Sequence, residues 1–365
     1  MKRYINSLDG LRGLGILVVV LYHLLRLKGN DPSFFGFAWI AVQMFFVQSG
    51  YLITRILIHS KELSFKNYLK QFYWNRTLRI FPIYFLYLFL LTGIYFVFNI
   101  DADFPRRAIY LFTHTYNFSR FDSHIDFHPF YVHLWSLAVE EQFYLIWPLL
   151  IYFLSQNQIK IMIIVLMIIC PVIRFSLGEY LLNYSTFEEM RIGEIIYGFT
   201  FSHFDAFATG GLIAVLNHDW LSKSVKLVIV PFVIGVIVIL FINQKSMSAQ
   251  YVTLSWTSLG LPLANLKNYQ HVWSYSLVNV SFALLMFILM NKTYKGFFNW
   301  KPLVSLGKIA YSAYIFHFMI LLIIVKYAPD IWFPILFFLS LLIVYLVGFT
   351  SYSLFEKKFL KYKSK

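Results

Sequence analysis

The sequence predicts an all-α protein that crosses a membrane about ten times. Three observations carry that prediction. The chain is 59% hydrophobic and only 13% charged, with a mean hydropathy of +0.66, whereas soluble domains hold about 25% charged residues. Apolar runs long enough to span a bilayer recur from one end of the chain to the other. Aromatic residues, 21% of the chain, gather near the ends of those runs, where rings settle at the membrane–water boundary.

Taken in order, the candidate spans are roughly 9–28, 36–58, 78–98, 134–154, 159–177, 196–216, 225–242, 274–290, 303–325 and 331–353. The first carries LDGLRGLGILVVVLYH and the second MFFVQSGYLITRILI. The third follows a basic, aromatic stretch that ends in WNRTLRIFP. The gap between the fourth and fifth is only SQNQ, which forces an antiparallel hairpin. The sixth contains Asp205 beside Gly210 and Gly211, small residues that permit close helix approach. Val252–Ala264 is short and interrupted by Pro262, so it reads as an interfacial segment rather than a span. The ninth holds SLGKIAYSAYIFH, and a basic tail containing FEKKF follows the tenth.

Lys and Arg set the orientation. With the N-terminus in the cytoplasm, the inner stretches hold about twice as many basic residues as the outer ones. Inner groups include Arg55, Lys61, Lys66, Lys70, Arg76 and the lysines of the tail. The bias predicts that both ends face the cytoplasm, in a cell inner or plasma membrane. The formal net charge of +14 is explained by this topology, so no nucleic-acid partner is expected. The single cysteine, Cys170, excludes a disulfide framework and a cysteine-based zinc site. No cleavage site for a signal peptide follows the first run, where Arg26 and Lys28 come instead.

Ionisable groups at membrane depth are expensive and point to function. The first span carries three: Asp9, Arg12 and His23. At about 100° per residue, Arg12 and His23 lie within roughly 20° of each other and Asp9 within roughly 60° of Arg12. The stripe runs about 16 Å along the helix, from Arg12 in its inner half to His23 in its outer half. The bland alternative is a signal anchor with a chance histidine.

Arg76 and Arg79, at the inner mouth of the third span, share a helix side at i, i+3. Paired guanidiniums suit phosphate groups, though snorkelling anchors read the same way. Glu140 and Glu141 point about 100° apart, so one is expected to face the bundle and pair with a cation or a histidine. His317 is a second intramembrane histidine. His124, His128 and His133, with Asp122 and Asp126, read as a solvated outer loop, and Pro129 argues against a metal site there. The roles of His203 and Asp205 stay open.

Four blocks then fall into one ordered pattern: LDGLRGLGILVVVLYH, MFFVQSGYLIT, LWSLAVEEQFYLIWP and SLGKIAYSAYIFH. Together with Arg76-x-x-Arg79 before Pro82, FDAFATGGLIA and FEKKF, they make the whole chain resemble the acyltransferase 3 family of integral-membrane O-acyltransferases. The chain departs from that pattern at His203, where many members have Arg, at Ala310 in place of Ser, and at Lys358 in place of Pro.

The resemblance implies a single acyltransferase domain over residues 1–365, without the fused soluble esterase-like domain of some members. It implies transfer of an acyl group, acetyl foremost, from cytoplasmic acyl-CoA as co-substrate to a hydroxyl of a glycan or lipid-linked glycan. O-antigen, capsule, exopolysaccharide and peptidoglycan are all candidate acceptors. No bound cofactor or metal is expected. Arg76, Arg79 and Arg12 are expected to hold the CoA, and His23 to act as base or acyl carrier. Asp9, Glu140, Glu141 and His317 are expected to support it, with Ser49, Tyr51, Tyr311 and His317 as candidate oxyanion donors. The rival reading is a proton-coupled transporter or flippase, which buried His, Asp and Glu residues would also suit. It is disfavoured by the lack of a visible repeated half.

Overall fold

The structure, a computed structural model, describes residues 5–29, 36–98, 101, 103–126, 128–216, 229–230, 232–245, 266–290 and 296–363. Among them there is no strand. In chain order the helices are α1 (Asn6–Leu27), α2 (Ile40–His59), α3 (Phe65–Phe98), α4 (Phe104–Phe112), α5 (Trp135–Phe153), α6 (Gln156–Tyr184), α7 (Glu189–Gly198), α8 (Phe204–Val215), α9 (Phe232–Lys245), α10 (Gln270–Leu289), α11 (Lys301–Lys308), α12 (Ala310–Tyr327), α13 (Phe333–Ser351) and α14 (Lys357–Leu360).

Seven helical stretches are long and apolar enough to cross a membrane, and they coincide with seven of the ten predicted spans. The other three differ in instructive ways. The fourth is a complete 19-residue helix, α5, whose apolar character is diluted by Glu140, Glu141 and Gln142. The sixth is broken: α7 ends at Gly198, a 3-10 turn covers Thr200–Ser202, and α8 restarts at Phe204 for only 12 residues. The seventh is short, with α9 covering Phe232–Lys245. The interfacial segment read at 252–264 lies outside the described residues.

The chain divides into two compact units. The first comprises residues 1–28, 57–153 and 295–365, and so contains α1, α3–α5 and α11–α14. Its closest packing is α1 on α11, and glycine makes it possible. A Cβ at Gly10 would stand 1.8 Å from the Phe298 carbonyl oxygen, and one at Gly307 would stand 1.7 Å from that of Asp9. Without lipid-excluding hydrophobic force between spans, such backbone contact is what holds membrane helices together.

Hydroxyl-to-carbonyl bonds join α3 to α5: Tyr68 donates to Pro148 O at 3.0 Å and Tyr73 to Leu145 O at 2.9 Å. The long connection after α3 also folds back on that helix. Tyr84 donates to Leu111 O and Tyr87 to Phe130 O, both at 2.8 Å.

The second unit comprises residues 29–56 and 154–294. It opens its hairpin with a capping box at the start of α6, in which Ser155 and Gln158 satisfy each other's backbone amides. Leu181, Ile192, Ile195, Ile196 and Leu266 form an apolar cluster around α6 and α7. The expected close approach at Gly210 is present: a Cβ there would lie 1.9 Å from Val47 O.

Candidate active site

The first unit gathers Asp9, Arg12, His23, Arg76, Arg79, Glu140, Glu141 and His317 in α1, α3, α5 and α12. Helix α1 organises them. Arg12 donates to Asp9 Oδ1 at 3.2 Å, one turn earlier. Further along, His23 sits half-buried with its ring 5.2 Å from that of His317 and 4.6 Å from that of Phe318. The stripe predicted on α1 therefore ends in two different environments.

Around Arg12 the environment is charged. Arg79, Asp9 and Glu140 all lie within electrostatic range of it. Arg76 and Arg79 lie within a helix that starts well before the apolar run of the third span. Helix α3 begins at Phe65 and runs 34 residues, so Arg79 sits about 21 Å inside it at ~1.5 Å per residue. The polar residues of 65–77 belong to the same helix, which continues into the apolar run without a break.

The Arg76 guanidinium lies 5.9 Å from the Phe72 ring and 5.4 Å from the Tyr144 ring. The Tyr144 hydroxyl in turn donates to Glu140 Oε1 at 2.5 Å. Glu141 Oε1 is buried with no hydrogen-bond partner. The tail joins this group. Ser312 of α12 donates to Glu356, which lies within range of Arg79 and Lys363. Trp74 Nε1 donates to Tyr362 O at 3.0 Å, docking the tail on α3 beside its arginines. Burial, and then the nearby Arg79 and Arg76, hold the Lys363 ammonium down at about 8. Arg12, Arg76, Arg79 and Lys363 thus converge with Asp9, Glu140, Glu141 and Glu356, and guanidinium groups in such a cluster suit an anionic ligand.

Around His23 the environment is imidazole. His317 is fully buried, its ring 5.0 Å from that of His133, and His133 stacks on Phe318 at 5.9 Å and 11°. His133 is therefore not part of a solvated loop. It is 2% exposed, in a 3-10 turn directly before α5. Pro129 ends the loop early enough for Tyr131–Leu134 to turn back into the helices. The reading missed it by grouping it with His124, whose side chain is 77% exposed beside Asp122. There the backbone amide and ring of His124 hold the Asp122 carboxyl below its usual range. The signal available was its place directly before the LWSLAVEEQ block. Among the described residues, no group of three His, Cys, Asp or Glu side chains is placed to hold a metal ion.

Two main-chain carbonyls set the tautomers. His133 Nε2 lies 2.9 Å from Ile315 O, and His317 Nδ1 lies 2.5 Å from Tyr314 O. A carbonyl only accepts, so those nitrogens carry the protons. His133 Nδ1 and His317 Nε2 are left as buried lone pairs with no hydrogen-bond partner. Neutral His317 thus presents an acceptor, which removes it from the candidate oxyanion donors. The Tyr311 hydroxyl is likewise committed, donating to Ile80 O at 2.9 Å.

A half-buried histidine, His114, escaped the sequence reading. Both its ring nitrogens lack partners, its φ is +54°, and it stacks on Tyr84 at 4.2 Å. A bulky residue at positive φ marks local backbone strain. Nothing in its sequence context, FTHTYN, signals this.

Ser49, Tyr51, His203 and Asp205 belong to the second unit. Asp205 is not a lone acid there. Arg174 of α6, to which the sequence reading gave no weight, donates to its Oδ2 at 2.9 Å. His203 meets Gln43 Nε2 at 2.9 Å and Tyr197 O at 2.6 Å. Tyr51 accepts from Arg55 at 3.0 Å.

Comparison with known proteins yields one family, two informative relatives and no fold neighbour. The profile of a family described as "Acyltransferase domain" matches residues 5–353. A Staphylococcus aureus protein named O-acetyltransferase OatA is 28% identical over 377 aligned positions, covering 97% of this chain and 57% of its own length. A Listeria monocytogenes protein named peptidoglycan O-acetyltransferase OatA is 38% identical over 162 positions, covering 40% of this chain and 24% of its own length. The chain thus spans little more than half the length of the Staphylococcus relative. No solved structure matches. With almost its whole length matched, and with the four sequence blocks contributing α1, α2, α5 and α11–α12, the chain belongs to the acyltransferase 3 family.

Proposed function

We propose that this protein is a plasma-membrane O-acetyltransferase that moves an acetyl group from acetyl-CoA to a hydroxyl of a cell-surface glycan. One observation carries the reading: a single helix, α1, joins a cation cluster at Arg12 to a histidine cluster at His23. The two are about 16 Å apart along the helix. That geometry suits a donor with anionic phosphates at one end, a long flexible arm, and a reactive thioester at the other. Arg76, Arg79 and Arg12 hold the phosphates, Asp9 orients Arg12, and Glu140 positions Arg76 through Tyr144. The clustered basic residues favour a cytoplasmic location for that end.

His23 is the one histidine of its cluster that is partly exposed, and therefore the one that meets substrate. As base it takes the proton of the acceptor hydroxyl while the oxygen attacks the thioester carbonyl. The carbon–sulfur bond breaks with its electron pair on sulfur, and the thiolate recovers the proton as free CoA. In the variant with an acyl carrier, His23 attacks first and passes the acetyl group on. The names of the Staphylococcus and Listeria relatives favour a glycan acceptor, with peptidoglycan foremost.

The test is acetyl-CoA supplied to the purified protein in liposomes, with free thiol followed in the presence and absence of a cell-wall glycan extract. Glycan-dependent thiol release that His23→Ala abolishes is the expected result. An intact thioester, with labelled ligand moved across the membrane, would replace the transferase reading by a carrier.

A further inference from the structure

We infer that His133 is a positioning residue of this site, the far member of a His23–His317–His133 chain that holds the proton released by the acceptor hydroxyl. The inference rests on the transferase reading above and deepens it. Its basis is the pattern of protons. Two neighbouring buried rings, 5.0 Å apart between centroids, each spend their one N–H on a main-chain carbonyl. Each keeps a bare nitrogen with no hydrogen-bond partner, His133 Nδ1 and His317 Nε2. A buried acceptor left unsatisfied is destabilising, so two side by side are poorly explained as packing. A proton added to either ring occupies one of these bare nitrogens, and ring centroids 5.0 and 5.2 Å apart keep the three imidazoles next to one another.

The surroundings suit transient storage of that proton rather than a permanent charge. The groups facing His133 are Tyr87 from α3, Ser136 from α5, and Tyr314, His317 and Phe318 from α12. The groups facing the His23–His317 pair are Tyr22, Tyr314 and Phe318, with Arg26 the nearby charge. No carboxylate is among them, so nothing there fixes an imidazolium at rest. The orientation of His133 is itself held from behind: Tyr314 Oη donates to its carbonyl at 3.1 Å and meets Ser136 Oγ at 2.7 Å. In the reaction the proton leaves the hydroxyl for His23 as the new carbon–oxygen bond forms. It is shared with His317 and His133 while the carbon–sulfur bond breaks, and it returns to the thiolate.

The experiment compares wild type, His133→Gln and His133→Phe by pH–rate profile for acetyl transfer, with melting temperature measured for each. His133→Gln is expected to lose about tenfold or more in kcat, to keep its KM for acetyl-CoA, and to shift the acid limb of the profile to lower pH. A folded His133→Gln protein with the wild-type profile, or with lower kcat and an unmoved profile, would overturn the inference. A second measurement is independent of turnover. In the ¹⁵N-histidine NMR spectrum of the full-length protein in micelles, removal of His133 is expected to move the titration of His317. Titration of His317 unchanged by His133→Gln would overturn the chain, whereas wild-type protein with coupled histidines but no thiol release would overturn only the transferase reading.

Discussion

Each of the two units buries an arginine among apolar helices, and the two arginines are treated differently. In the second unit Arg174 is fully buried, and four bonds hold its two terminal nitrogens while its Nε has no hydrogen-bond partner. It donates to Ser202 O at 2.6 Å, Asp205 Oδ2 and Val272 O at 2.9 Å, and Ser276 Oγ at 2.8 Å, with the Tyr275 ring 4.9 Å away. In the first unit Arg12 has a single bond, at 3.2 Å, to Asp9, and its side chain remains 23% exposed. Both residues pass the same test for functional suspicion, charge at membrane depth. The difference lies in how far that charge is satisfied. A guanidinium with its partners in place ties α6, α8 and α10 together, whereas one held by a single bond retains donors for a ligand.

The largest effect that would sharpen this contrast is at His23. His23→Ala is expected to lower acetyl transfer by about 10²- to 10⁴-fold while melting like wild type. A mutant that keeps full activity would break the assignment of chemistry to the first unit. Next comes Arg174→Ala, which strands Asp205. It is expected to destabilise by about 3–5 kcal/mol, read as a lowered unfolding midpoint in detergent, and the Arg174→Met, Asp205→Leu double variant is expected to recover most of that. A stable Arg174→Ala protein without activity would instead move Arg174 into the reaction.

Arg79→Gln should leave the fold intact and weaken CoA binding by about ten- to a hundredfold, the range of a lost charged hydrogen bond of ~1.5–3 kcal/mol. Equilibrium dialysis with labelled CoA measures it. Unchanged binding would place the phosphates elsewhere.

The smallest effect concerns Lys363, and its sign is specific. In the folded protein its ammonium is held at about 8, below the ordinary lysine value of about 10.4. The unfolded chain therefore binds more protons, and the cost to stability is fully present below pH 8. It fades as pH rises from 8 towards the ordinary value. Lys363→Gln is expected to raise the melting temperature at pH 7 and to have no effect above about pH 10, while weakening CoA binding at pH 7. A variant that melts lower at pH 7 would show that the tail lysine is paired rather than repelled.

Much of the candidate site was legible in the sequence because helical geometry is local. Asp9, Arg12 and His23 share a face by counting residues, and Arg76 and Arg79 share a side by their spacing. What escaped was non-local. His133 looked like a loop residue because its neighbours His124 and Asp122 are solvated, and only its packing on His317 and Phe318 shows otherwise. Arg174 drew no notice in the sequence, and its value depends on Asp205, 31 residues away. Helix α3 started well before its apolar run because a helix continues through polar residues when its backbone bonds are met.

Composition and periodicity by themselves determined that this chain is helical and membrane-spanning, and which residues of each helix share a side. Those properties follow from the cost of unpaired backbone in lipid and from the fixed turn of the helix, and both are written in consecutive residues. Only the tertiary structure decided which buried polar groups are satisfied and which are left open. Satisfaction is a property of pairs, set by which helices meet and at what separation, and no single stretch of sequence contains both members.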